Sequence, residues 1–134
     1  MNDTLAREVR RWYRFAREDL QEAQRQIQNP QTVPRHPAWL AQQAAEKALK
    51  TVLVLEQIEF PFTHDLDVLH RLIPDKWSVK TVDADLDRLS EYAVDARYPG
   101  NWPDLTREDA RHVVNDAAHI LNAIAEDIKD VLDA

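Results

Sequence analysis

A single glycine, Gly100, in 134 residues constrains this chain more than any other feature. Sheets and phosphate-cradling loops draw on several glycines for positive φ and for close approach of the backbone, and here they are missing. A Gly-rich nucleotide loop is therefore excluded. The hydrophobic pattern points to helix instead. Leu5, Val9, Trp12, Ala16, Leu20, Ala23 and Ile27 advance by threes and fours, so residues 4–28 read as one long amphipathic helix that ends before Asn29-Pro30.

Residues 30–37 hold three prolines and form a loop. A second helix is expected from about Pro37 to Gln57, with Ala41, Ala44, Ala45, Ala48 and Leu49 on its apolar side. Gln42, Gln43, Glu46, Lys47 and Lys50 fill the other arc. An alanine face lets a neighbouring helix approach closely and leaves the polar side chains at the edge of the groove. Pro61 interrupts the chain, and Thr63 is the expected N-cap of a short helix, HDLDVLHRLI, stopped by Pro74. A fourth helix fits Val82 to Ala96, with Leu86, Leu89 and Ala93 inward. Pro99-Gly100 and Pro103 then force a turn. Thr106 and Asp109 make a capping box for the last helix, whose stripe is Ala110, Val113, Ala117, Ile120, Leu121, Ile124, Ile128 and Val131. The expected fold is all-α: an antiparallel up-and-down bundle of four long helices plus one short helix, as a single domain over residues 1–134.

Composition narrows the chemistry. There are no cysteines, which removes disulfides, thiolate metal sites and cysteine nucleophiles together. His112 and His119 lie two turns apart, which is not a metal-ligand spacing, so neither metal nor cofactor is expected. No apolar run is long enough to cross a bilayer and the N-terminus lacks a secretory signal, so the expected location is cytoplasmic. A net charge of −7 argues against a broad duplex-binding surface. Five arginines, Arg7, Arg10, Arg11, Arg14 and Arg17, nonetheless cluster in the first helix, either as a solvated face or as a local basic site.

Polar candidates for ligand contact are Gln43, Lys47 and Lys50, on successive turns of one face, with Arg97 and Tyr98 able to reach that face from the end of the fourth helix. Together they would offer cations to a phosphate and an aromatic face to a base, or equally a set of salt bridges. His64 and Asp65 open the short helix, as a cap or as ligand contacts.

The QQAAEKALK string, the THDL turn, the YAVDARYP segment and the closing Ala-rich helix resemble the HEPN family over essentially the whole chain. That resemblance implies a compact helical bundle, commonly a homodimer, encoded beside a minimal nucleotidyltransferase (MNT) in a toxin-antitoxin-like pair. It also implies a connection to a nucleotide or to RNA. HEPN ribonucleases carry Arg, four to six residues, then His, and Arg107-Glu-Asp-Ala-Arg-His112 meets that spacing. In a metal-independent cut His112 would move the proton at the ribose 2'-hydroxyl while Arg107 neutralised the phosphate. Glu108 replaces the usual polar neighbour, and Val114 stands where the toxin branch has a modifiable tyrosine. The alternative implied is a non-catalytic helical interaction module that partners a nucleotidyltransferase.

Overall fold

The structure is a computed structural model that describes residues 1–93 and 104–133. Helix α1, Asp3–Ile27, opens where Asn2 Oδ1 accepts a hydrogen bond from the Leu5 amide at 2.7 Å. Its buried stripe is Val9, Tyr13, Ala16, Leu20 and Ala23. Trp12, expected in that stripe, is only half-buried, and Tyr13 takes the inner position with its hydroxyl reaching the Leu121 carbonyl at 3.5 Å. An indole beside the seam would not fit the close alanine contact that α1 makes with its neighbour.

Helix α2, Arg35–Leu55, begins two residues earlier than the sequence suggests. Pro34 caps it with φ −57°, and Pro37 falls in the first turn, where a missing N–H leaves no hydrogen bond unmade. α2 is the central element: Ala38, Ala41, Ala44, Ala45, Ala48, Leu49, Val52 and Leu53 have no exposed surface. It ends in a Schellman turn. The Ile58 amide bonds the Leu53 carbonyl at 2.9 Å and the Gln57 amide the Val54 carbonyl at 3.1 Å, with Gln57 at φ 56°. That left-handed position usually belongs to glycine, and this chain supplies glutamine.

Helix α3, Leu66–Leu72, is capped by Asp65, whose carboxylate accepts from the Asp67 amide at 3.0 Å. Thr63, the expected cap, instead accepts from the Asp65 amide, which places the carboxylate over the first turn. The long fourth helix expected over Val82–Ala96 takes a different form in the described residues. A 3-10 turn, Ser78–Thr81, and an extended stretch lead into a short α4, Leu86–Glu91. Asp85, extended at ψ 91°, caps α4 through the Arg88 amide and donates its own amide to Asp116, so the backbone cannot continue as helix through it. Helix α5, Arg107–Asp127, carries the expected capping box of Thr106 and Asp109. It breaks at Ile128 (φ −110°, ψ 20°) before α6, Lys129–Leu132.

Cross-links between elements fix their directions. Arg107 reaches Ile27, Tyr13 reaches Leu121, and Arg10 reaches the Val131 carbonyl, so α1 and α5 run antiparallel. Ser78 binds Asp127, Asp85 binds Asp116 and Arg88 binds Asp109, so the segment from the 3-10 turn through α4 runs antiparallel to α5 as the third leg of the bundle. The fold is the expected all-α bundle, and the core lies where α1, α2 and α5 meet. Among the described residues no helix is long and apolar enough to cross a membrane.

Candidate functional site

α2 buries polar as well as apolar side chains, and three of them lie four residues apart: Gln42, Glu46 and Lys50. One face of the helix therefore carries an amide, a carboxylate and an ammonium in a row. Lys50 Nζ donates to Glu46 Oε2 at 2.9 Å, and Gln42 Nε2 donates to Glu46 Oε1 at 3.1 Å. The row is closed from the loop after α2. His64 Nδ1 lies 2.8 Å from Glu46 Oε1, the His64 carbonyl accepts from Gln42 Nε2 at 3.2 Å, and the Phe60 ring lies 5.7 Å beneath the Lys50 ammonium.

Glu46, 6% exposed, is the hub of this cluster. Burial pushes its carboxyl pKa up, but the hydrogen bonds from His64, Lys50 and Gln42 together hold it below the ordinary glutamate value. An ionised carboxylate at Nδ1 requires the proton on that nitrogen. In the neutral ring Nε2 is then an acceptor, on a side chain 51% exposed. Phe62, 96% exposed, meets the His64 ring edge-on at 6.1 Å. The outward end of a buried polar network is thus an oriented imidazole beside a bare aromatic ring. Gln43 joins the network through its Nε2, which donates to Gln42 Oε1 at 2.7 Å. Such a corner can stack a flat ring and accept one hydrogen bond from it.

The structure brings Gln43, Lys50 and His64 into this one network, and it sends Lys47 elsewhere, to an ion pair with Asp19 of α1. Both lysines are thereby neutralised. Arg97 and Tyr98 lie outside the described residues, as do Trp102 and the RYP segment. Gln42, Glu46, Phe60 and Phe62 are members that the sequence reading did not single out as site residues. The four-residue spacing of Gln42, Glu46 and Lys50 was a visible signal for the first two.

Arg107 and His112 have different surroundings. Arg107 Nη1 donates to the carbonyls of Ile27 and Asn29, each at 3.2 Å, and Nη2 to those of Pro30 and Thr32 at 2.9 and 3.0 Å. Its guanidinium clamps the loop between α1 and α2 and caps the last turn of α1. His112, with 61% of its side chain exposed, lies 3.5 Å from Glu108 on the preceding turn. Five positions on an α-helix separate two side chains by roughly 140° around the axis. The structure therefore does not bring this pair together within one chain.

These helices and their order match known proteins. The family model described as HEPN domain matches residues 9–128. The crystal structure of an archaeal HEPN homologue is similar at a TM-score of 0.66 and 26% sequence identity, covering 90% of this chain and 97% of that one. A comparison with curated proteins finds no match. With the bundle, its central alanine helix and nearly the whole length accounted for by one family model, this chain belongs to the HEPN family.

Proposed function

We propose that this chain is the binding subunit of a two-component HEPN/MNT pair: a homodimer that engages a nucleotidyltransferase and receives a nucleotide or an RNA end without cutting it. The observation that carries this reading is Phe62, almost fully exposed beside a His64 ring that Glu46 orients. An exposed phenylalanine beside Pro61 in a short loop has an energetic reason to be covered by a partner or by a base. Gln43 and Nε2 of His64 would read the edge of that base, and Phe62 would stack on its face. Family membership supports the nucleotide connection and the dimer, since HEPN domains often dimerise.

Cleavage of RNA through Arg107 and His112 is the second reading, favoured by their spacing and by the accessible imidazole of His112. Binding is preferred because Arg107 would have to abandon four carbonyls before it could meet a phosphate. The deciding experiment is co-expression with an MNT-type nucleotidyltransferase encoded beside it, together with incubation of the purified protein with single-stranded RNA in EDTA. Co-purification that Phe62→Asp abolishes, with RNA left intact, is the expected result. RNA cut by the purified protein and spared by His112→Ala would replace the binding reading with the catalytic one.

A further inference from the structure

The first four turns of α1 carry an arginine stripe that the folded chain leaves unpaired. Residues 1–17 hold five arginines against Asp3 and Glu8, a net +3, in a chain of net −7, so the remainder carries −10. At 100° per residue the five fall within an arc of roughly 120°, opposite the buried stripe of α1. Elsewhere among the described residues several cations are held by carboxylates, while others, such as Arg35, Arg111 and Lys129, are not. Lys47 takes Asp19, Lys50 takes Glu46, Arg71 takes Asp67, and Arg88 takes Asp109. Among the described residues Arg7, Arg11, Arg14 and Arg17 have no carboxylate within ion-pair reach, and Arg10 bonds only the Val131 carbonyl. At the edge of the stripe Phe15, 38% exposed, has the Arg11 and Arg14 guanidiniums at 5.4 and 5.5 Å from its ring centroid.

We infer that this face of α1 is a docking surface for single-stranded RNA, separate from the Phe62 corner. The choice of RNA rests on the nucleotide connection of the proposed function; the surface itself rests on charge. Arg7 to Arg14 spans roughly 10 Å of helix axis, which corresponds to about three phosphates at the charge spacing of one strand. Guanidiniums bind phosphate in forked pairs, and each is weakly hydrated, so their unpaired state favours a phosphate over solvent. Phe15 supplies the ring on which one base stacks. The stripe is one helix wide and the rest of the molecule is acidic. It therefore complements one phosphate backbone and repels the second strand of a duplex. Asp3 and Glu18 mark its two ends.

The test is fluorescence anisotropy of labelled oligo-U about three to four times the length of the stripe, titrated with the intact protein at 50 to 200 mM salt. Three phosphate contacts predict a slope of log K against log salt near −2, about a sixteen-fold loss over that range. Arg7→Gln, Arg11→Gln and Arg14→Gln together should lower affinity at least ten-fold at 50 mM and flatten the slope. Phe15→Ala should weaken binding a few-fold with the slope unchanged. All four positions are on the solvent side, and circular dichroism checks that the variants keep their helix. Unchanged binding by the triple variant, a flat slope in the wild type, tighter binding of duplex RNA, or equal competition by polyglutamate at matched charge would each overturn the assignment. The last outcome would identify an acidic protein as the occupant. The triple variant retains Phe62 and His64, so loss of partner co-purification with Arg-dependent RNA binding intact defeats only the proposed function, and the reverse defeats only this inference.

Discussion

Replacing Arg107 by alanine separates a structural guanidinium from a catalytic one. The side chain donates four hydrogen bonds to carbonyls of Ile27, Asn29, Pro30 and Thr32. A hydrogen bond from a charged donor contributes about 1.5–3 kcal/mol net when buried. Two of these acceptors are in exposed surroundings and regain water on mutation, and the four bonds share one rigid group, so their contributions do not add. A loss of about 2–3 kcal/mol is expected. At an unfolding entropy of about 2.1 cal/mol/K per residue, 134 residues give about 0.28 kcal/mol/K, and the midpoint falls by about 7–11 °C. Arg107→Lys should recover less than half of this, because one ammonium cannot span four carbonyls. Urea denaturation followed by circular dichroism measures the change, with the slope m reporting whether the loop opens in the native state. A loss under about 0.5 kcal/mol, the range of an ordinary surface substitution, would refute the clamp and free Arg107 for a phosphate.

Two further predictions concern α2. Because the Glu46 carboxyl is held below its ordinary value, its contribution to stability is fully present above the unfolded pKa of about 4.3 and is lost as pH falls through the folded one. Glu46→Gln, which leaves Lys50 buried without its carboxylate, should cost about 3 kcal/mol at pH 7 and remove part of the decline between pH 5 and 3 in a denaturation series. An undiminished decline would assign acid sensitivity to other carboxylates. Gln57→Gly, which relieves a left-handed residue at the Schellman position, should stabilise the protein by about 0.5–1 kcal/mol, measured as a raised thermal midpoint; a lower one would mean the glutamine side chain holds the turn.

α1, α2 and α5 were legible because each runs for 21 residues or more with an uninterrupted 3.6-residue pattern or a strong cap. The third leg was not. Leu86 and Leu89 have helical spacing, but Asp85 competes for the backbone as a cap, and pattern alone does not say which use prevails. The polar row of α2 was half visible: Gln42, Glu46 and Lys50 show their spacing, while the closure by His64 depends on how the loop around Pro61 folds back. The role of Arg107 left no trace in sequence at all, because its partners are main-chain carbonyls, and any residue presents those.

The same pairing logic decides where this protein can meet an anion. A lysine on a helix is available to phosphate only if its carboxylate neighbours leave it free, and on α2 they do not: Asp19 and Glu46 each hold one. Displacing Glu46 from Lys50 would expose an uncompensated charge inside the bundle, a cost that a single phosphate contact at the surface does not offset. Arg7, Arg11, Arg14 and Arg17 carry no such penalty, since they are exposed and lose only counterions on binding. In the proposed function a helix whose lysines are neutralised from within serves the oriented His64 corner, where stacking and one hydrogen bond would suffice. Under the proposal above, phosphate contacts fall to the helix that packs its apolar face on α2 and turns its arginines to solvent.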